Sequence, residues 1–429
     1  MKTAVAGTGY VGLVTGTCLA HLGHEVTCMD VDEERISKLH SGISPIYEVG
    51  LEDLIKKCTE SGHLHFTTSF EEALQDKEIL FIAVGTPMDE SGGADLSQLE
   101  GVVKSLENMD REDKLILVVK STVPVGTCRR LESRLEESKP GKYSVVSCPE
   151  FLREGNAVQD FLHPERIVIG ADDEEDGKRV QDLFKELQAP LVLTDTATAE
   201  MIKYASNAFL ATKISFINEI ARLCEKTGAD VKQVARGMGL DSRIGEKFLQ
   251  AGLGYGGSCF PKDTQALIRL AEGLGYDFRI LKSVVEVNSG LRRDAVEKLT
   301  GMLGGSLKGK TAGVLGLSFK PGTDDLREAP SLDIIRQILD GGGFVRAYDP
   351  MVKELPVSSD SKLEIVESPY EAASGSDAVV LVTEWGEFKE MDLARLKKEM
   401  AGEIFIDGRN LFDPGEMKSL GFTYSGMGR

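Results

Sequence analysis

The chain has 429 residues, 41% hydrophobic and 28% charged, a composition that suits a globular protein of two or three domains. Lys and Arg number 50 against 69 Asp and Glu, a formal charge of −19, which argues against nonspecific binding to nucleic acid or to an anionic membrane. An anionic ligand must then be met by a few locally placed Lys and Arg side chains.

The opening reads as β-α-β. Thr3-Ala4-Val5-Ala6 is a short buried strand, Gly7-Thr8-Gly9-Tyr10-Val11-Gly12 a turn, and a helix follows to about His21 before the strand Glu25–Asp30. Apolar runs at Ile79–Val84, Leu115–Val119, Tyr143–Ser147 and Arg166–Ile169 alternate with helical patterns. Such alternation predicts a parallel, doubly wound sheet. From Thr196 to Lys226 one long amphipathic helix is predicted, with helical character continuing to about Leu303. Gly304-Gly305 opens a second α/β unit with strands at Thr311–Leu315, Phe344–Tyr348, Ala378–Thr383 and Ile404–Ile406. Strand, glycine turn, helix and a strand ending in Asp recur in both halves, at Asp30 and Asp349. The expected architecture is α/β: two Rossmann-like doubly wound domains, 1–195 and 304–429, joined by a helical connector, 196–303.

The seven cysteines (18, 28, 58, 128, 148, 224, 259) are odd in number, dispersed and without CxxC or His/Cys metal spacing. They suggest free thiols in a reducing compartment and no metal site. Met1-Lys2 runs straight into a strand, leaving no room for a signal peptide, and no apolar run reaches membrane-spanning length. The expected compartment is the cytoplasm.

Gly7-x-Gly9-x-x-Gly12 follows a strand, opens a helix and is trailed by Asp30 at the end of the next strand, the context that a dinucleotide fingerprint requires. Gly7 permits the tight turn, Gly9 lets the backbone approach a pyrophosphate, and Gly12 lets helix and strand pack closely. The helix N-terminus favours the anion. Asp30 can accept hydrogen bonds from a ribose and would repel a 2′-phosphate, which favours NAD over NADP. Val84-Gly85-Thr86-Pro87 and Lys120-Ser121-Thr122-Val123-Pro124 follow later strands, at the carboxyl edge where open α/β sheets bind ligands.

Gly254-Tyr255-Gly256-Gly257-Ser258-Cys259-Phe260-Pro261-Lys262-Asp263 sets one cysteine on glycine-rich backbone beside a lysine and a carboxylate. Three glycines in four positions are tolerated where backbone must come close to something bulky or φ must be positive. Cys259 is either a nucleophile whose thiolate Lys262 favours or an ordinary packed thiol. Lys203 and Asn207, four apart, project from one helical face. Met201, Ile202, Phe209 and Leu210 around them suggest a largely buried helix, where a lysine is expensive unless paired. Glu150-Phe151-Leu152-Arg153-Glu154-Gly155 brings two carboxylates to the cofactor edge, Glu150 reading equally well as a helix N-terminal acid.

Taken together, the Gly254–Asp263 run, the Pro149-Glu150-Phe151-Leu152 turn, Lys203 with Asn207, Arg243-Ile244-Gly245, Phe319-Lys320, Arg327-Glu328 and Asp407-Gly408-Arg409 resemble the UDP-glucose/GDP-mannose dehydrogenase family over essentially the whole chain. Ser258–Asp263 and Asn218–Lys226 favour its UDP-glucose branch. Oxidation of GDP-mannose or a UDP-N-acetylhexosamine is the alternative, and a non-catalytic nucleotide-sugar or NAD sensor a remote one. The four chemical residues Cys259, Lys203, Asn207 and Asp263 speak against the sensor. The resemblance implies a four-electron, NAD-dependent oxidation of UDP-glucose to UDP-glucuronate through a thiohemiacetal and a thioester on Cys259. It implies Lys203 and Asn207 as oxyanion donors, and Glu150, Asp263 and Thr122 as the residues that hold and deprotonate water. The first proton goes to Lys203 or to a water bound by Asp263 and Thr122. Implied substrate contacts are Glu150, Phe151, Leu152, Lys203, Asn207, Phe248, Tyr255, Gly256, Lys320 and Arg409. Arg243 would be lent to the site of a homodimeric partner. Implied cofactor contacts are Gly7, Gly9, Tyr10, Val11, Gly12, Asp30, Arg35, Thr86, Thr122, Glu154, Lys262 and Arg327. The expected active site lies between the two sheets.

Overall fold

Two open sheets organise the protein, a computed structural model that describes residues 1–356 and 361–429. The first sheet is built from β1 (Lys2–Ala6), β2 (Glu25–Met29), β3 (Leu64–Thr67), β4 (Ile79–Ile82), β5 (Leu115–Val119), β6 (Tyr143–Ser147), β7 (Ile167–Ala171) and β8 (Leu191–Thr194), in the order β3-β2-β1-β4-β5-β6-β7-β8. The second contains β9 (Thr311–Leu315), β10 (Phe344–Tyr348), β11 (Leu363–Ile365), β12 (Ala378–Leu381), β13 (Ile404–Asp407) and β14 (Thr423–Gly426), in the order β11-β10-β9-β12-β13-β14. The six strands β1–β6 and the six strands β9–β14 follow the same doubly wound order. β4, β5, β6 and β12 are buried along their whole length, as strands covered on both faces must be.

Two strands depart from the predicted parallel sheet, β7 and β8, which pairs parallel with β7. The run expected at Arg166–Ile169 is β7, Ile167–Ala171, and it pairs antiparallel with β6, Val146 opposite Ala171 and Ser147 opposite Gly170. The long helix spans Thr196–Thr227, but helix does not continue unbroken to Leu303. After Val231–Gly239 the chain runs through turns and loop to Phe260 before the helices Phe260–Gly273 and Arg279–Met302. Arg243 therefore lies in a turn, which Gly245, at φ +72°, helps to close.

The chain divides into two compact units, Met1–Ser206 with Gln265–Tyr276, and Asn207–Thr264 with Asp277–Arg429. The helices Thr196–Thr227 and Phe260–Gly273 each belong partly to one unit and partly to the other. Within the first unit the cores lie on the two sheet faces, Val5, Phe81 and Val118 on one side, Ala6, Leu80 and Val119 on the other.

The repeat between the halves extends to hydrogen bonds. Gly7 N donates to Met29 O and Gly316 N to Tyr348 O, both at 2.8 Å, and both glycines have φ near +90°. Asp30 and Asp349 then receive the amides of Thr8 (2.7 Å) and Leu317 (2.7 Å). The second aspartate is saturated: Ser318 N, Ser318 Oγ and Trp385 Nε1 also reach its Oδ2, and Met351 N and Val352 N its Oδ1. Buried and fully bonded, Asp349 holds its own loop together and has no capacity left for a ribose.

Candidate active site

In the first unit the fingerprint glycines divide their work by sterics. A Cβ on Gly7 would stand 2.8 Å from Ala83 O, and one on Gly12 1.9 Å from Gly7 O, so both positions require glycine for close packing. A Cβ on Gly9 would meet nothing within 4 Å. That open cradle before the helix Tyr10–His21 fits a pyrophosphate approaching the backbone. Asp30 accepts from Thr8 N and Oγ1, Asp32 N and Arg35. Burial works against its charge, yet the Thr8 and Asp32 donors and the Arg35 guanidinium outweigh it, holding the carboxyl below the ordinary aspartate range. Tyr10 Oη donates to Tyr47 O at 2.6 Å and bonds Glu48 at 2.9 Å, next to the half-buried Val11. The donor set suits NAD.

Beyond β4 and β5, Thr86 Oγ1 donates to Thr122 O at 2.9 Å and Ser121 Oγ to Val84 O at 2.6 Å, joining the two loops. The Thr122 loop is fixed at its far end by Glu200, whose two oxygens take Gly126 N (2.6 Å) and Cys128 N (2.8 Å). Glu200 is almost wholly buried and one helical turn before Lys203. Sequence reading missed it; its spacing from Lys203 was the available signal.

Glu150, just past β6, makes a buried ion pair with Lys203, Oε1 to Nζ 2.9 Å, and accepts from Leu152 N at 2.5 Å. Burial raises the Glu150 pKa, but Lys203 overrides it and leaves the carboxyl below its usual value. Phe151 lies beneath two cations, the Arg166 guanidinium 3.7 Å and Lys203 Nζ 5.3 Å from its ring centroid. Leu152 packs against the core, and Glu154 is half-buried in the same loop. The neighbours of Lys203 differ from expectation: Met201 and Phe209 are exposed, the helix burying only the face that carries Lys203 and Asn207.

In the second unit Asn207 Nδ2 donates to Asp263 Oδ2 and Lys262 Nζ to Asp263 Oδ1, both at 2.6 Å. Cys259 immediately precedes the helix Phe260–Gly273, where the dipole favours a thiolate, and it alone of the seven free cysteines is not buried. The preceding loop needs its glycines. A Cβ on Gly254 would lie 2.3 Å from Asn288 Oδ1, on Gly256 2.2 Å from Glu328 O, and on Gly257 2.7 Å from the Phe319 ring. Asn288 clamps Tyr255 from both sides, accepting from its N (2.8 Å) and donating to its O (3.1 Å), and Arg292 donates to the same carbonyl. Asn288 and Arg292 were also missed, although their i, i+4 spacing puts them on one helical face. Phe260 stacks edge-on against Tyr255 and at a tilt against Phe248.

Two of the remaining implied contacts reach the glycine loop, Arg327 O accepting from Gly257 N at 2.8 Å and Arg409 Nη1 donating to Gly254 O at 3.4 Å. Arg409 Nε donates to Val382 O at 2.7 Å and lies 3.1 Å from Glu384. Lys320 Nζ is 5.3 Å from the Phe319 ring. Arg327 is exposed and paired with Asp325 at 2.7 Å, and Arg243, 87% exposed, pairs with Asp241 of its own turn. No group of three or more His, Cys, Asp or Glu able to hold a metal ion exists among the described residues, and no helix there is long and apolar enough to cross a membrane.

Sequence profiles of the UDP-glucose/GDP-mannose dehydrogenase family match in three parts: its NAD binding domain at residues 1–188, central domain at 197–290 and UDP binding domain at 313–414. The UDP-glucose 6-dehydrogenase TuaD of Bacillus subtilis is 48% identical over 431 residues, covering 100% of this chain and 93% of that protein. A UDP-glucose dehydrogenase structure from Pyrobaculum islandicum superposes with a TM-score of 0.92 at 40% identity, covering 100% of this chain and 97% of that one. The UDP-D-ManNAc dehydrogenase structure from Pyrococcus horikoshii gives 0.89 at 29%, with 100% and 99% covered.

Proposed function

The chain belongs to the UDP-glucose/GDP-mannose dehydrogenase family, and on that premise we propose that it oxidises UDP-glucose to UDP-glucuronate with NAD. The observation that carries the reading is Cys259: the one cysteine not buried, at a helix N-terminus, four residues before an Asp263 fixed by Asn207 and Lys262. A sensor needs no such nucleophile. The 48% identity to a UDP-glucose enzyme, against 29% to a UDP-D-ManNAc enzyme, favours glucose over the N-acetylhexosamine alternative.

NAD, bound at Gly7, Gly9, Tyr10, Val11, Gly12, Asp30, Arg35, Thr86, Thr122, Glu154, Lys262 and Arg327, supplies the hydride acceptor. Lys203 and Asn207 stabilise the alkoxide at C6 and later the oxyanions. Cys259 adds to the aldehyde carbonyl, so that the resulting thiohemiacetal carbon bears a hydride to give. Loss of that hydride leaves a thioester, and Asp263, Glu150 and Thr122 orient and deprotonate the water that cleaves it. Phe151, Leu152, Phe248, Tyr255, Gly256, Lys320 and Arg409 hold the nucleotide sugar. Seven free cysteines fit a cytoplasmic setting.

The purified protein should form two NADH per UDP-glucose and release no free aldehyde, with GDP-mannose at least tenfold poorer in kcat/KM, about 1.4 kcal/mol. One NADH per sugar, or equal use of GDP-mannose, would overturn the assignment.

The active species is a homodimer in which Arg243 serves the partner's substrate. Arg243 is almost wholly exposed on its own chain, and Phe209, Phe216 and Leu223 form an exposed apolar stripe at seven-residue spacing on the long helix. Cys259→Ala and Arg243→Ala homodimers should each be nearly inactive. Coexpressed at equal levels, half the dimers are hybrids with one intact site each, so about a quarter of wild-type activity should return. If activity stays at the level of the separate variants, Arg243 serves its own chain.

A further inference from the structure

One cation at the ligand edge of the first sheet has no part in the chemistry above. Parallel strands end at this edge and begin at the opposite one, so the residue before a parallel strand lies far from the ligand. β7 is antiparallel to β6, and its start therefore falls at the ligand edge. Continuing the register of β6 and β7 outward brings Arg166 opposite Phe151, and the guanidinium stacks on that ring at 3.7 Å. Lys203 Nζ shares the ring at 5.3 Å.

The two cations differ in one respect. Lys203 is paired with Glu150. Arg166 is half-buried, and among the described residues it makes no hydrogen bond or ion pair; the ring stack and the charge of its sequence neighbour Glu165 are its partners. Burial without an acceptor works against its charge. A guanidinium carries five N–H donors in a planar fork that matches anionic oxygens two at a time. Stacking on Phe151 fixes the plane of that fork and leaves its edge for an anion. In UDP-glucose the only charged part is the diphosphate.

We propose that Arg166 is a further substrate-recognition residue, its guanidinium held flat on Phe151 and donating to the diphosphate of the nucleotide sugar. This rests on the UDP-sugar reading of the same site and adds a specificity element to it. The antiparallel strand is what delivers the residue.

The test uses full-length Arg166→Gln and Arg166→Lys, calorimetric titration with UDP and with uridine, and steady-state kinetics. Arg166→Gln should raise the Kd for UDP and the KM for UDP-glucose about tenfold, about 1.4 kcal/mol. The Kd for uridine and the KM for NAD should stay within about twofold, and kcat within about threefold, of wild type. Arg166→Lys should recover part of the loss, and added salt should narrow the gap between wild type and Arg166→Gln. Equal weakening of UDP and uridine would mean that Arg166 only shapes Phe151, and a rise confined to the KM for NAD would mean a cofactor contact; either overturns the proposal, as do unchanged UDP constants. Should Arg166→Gln lose the native circular-dichroism spectrum, Arg166→Lys carries the test, and UDP binding unchanged in that variant overturns the proposal. Wild-type protein that makes no NADH from UDP-glucose defeats the parent reading instead. Wild type that does so, with variants indistinguishable from it, defeats this inference alone.

Discussion

Cys259→Ala should lose formation of UDP-glucuronate by about a thousandfold or more while keeping its fold and its affinity for NAD and UDP-glucose. The size of the loss follows from the chemistry. An aldehyde has no hydride to give until a nucleophile adds to its carbonyl, and Cys259 is the group proposed to add. The small cost to stability follows from position: the side chain is partly exposed in a loop whose shape is set by Gly254, Gly256, Gly257 and the Asn288 clamp. Cys259→Ser is the informative companion. It can form a hemiacetal and then an ester, but an alkoxy ester hydrolyses more slowly than a thioester. A burst of NADH should therefore give way to stalling, with the acyl adduct visible by intact-protein mass spectrometry. Near-normal turnover of the alanine variant would return Cys259 to the ordinary class of packed thiols.

What the sequence disclosed and what it concealed divide along a physical line. Features set by local backbone sterics were legible: the Gly7–Gly12 turn, the long helix from Thr196, and the glycine run before Cys259 all announce themselves within a few residues. The repeat of strand, glycine turn and terminal aspartate was legible too, though not that Trp385 and two further amides saturate Asp349. Strand direction left no local mark. Five apolar residues at β7 read the same whether parallel or antiparallel, so the sequence hid the reversal that brings Arg166 to Phe151. Partnerships across long separations were equally hidden. A buried Lys203 demanded a counter-charge, but only the fold shows Glu150, 53 residues away, supplying it, or Asn207 meeting Asp263 across 56. The exposed stripe at Phe209 and Phe216 gave the helix the composition of a buried one.

Lys203→Met should both abolish useful turnover and destabilise the protein in a pH-dependent way. Removing a fixed cation at a developing oxyanion costs about 10²–10³ in kcat. The stability effect comes from the partner left behind. Glu150 is buried, with Oε1 on Lys203 and Oε2 on the Leu152 amide. In wild type the ion pair holds its pKa below the unfolded value, so the group contributes stability above the unfolded pKa that is lost as pH falls through the folded one. Without Lys203 burial dominates and the sign reverses. The folded variant then prefers the neutral acid, and its deficit grows as pH rises past the ordinary carboxylate range. Stranding a buried charge costs about 3–5 kcal/mol, a deficit softened by Lys120, whose charge also favours the Glu150 carboxylate. Urea unfolding at two pH values, one near 4.5 and one near 7.5, roughly either side of the carboxylate range, should show a small deficit at the lower and a large one at the higher. Adding Glu150→Gln to Lys203→Met should restore much of the stability at neutral pH and none of the turnover, since it removes the stranded charge without replacing the cation. A deficit that is the same at both pH values, or a double variant no more stable than the single one, would show that Lys203 stabilises the protein through packing and not through its pairing with Glu150.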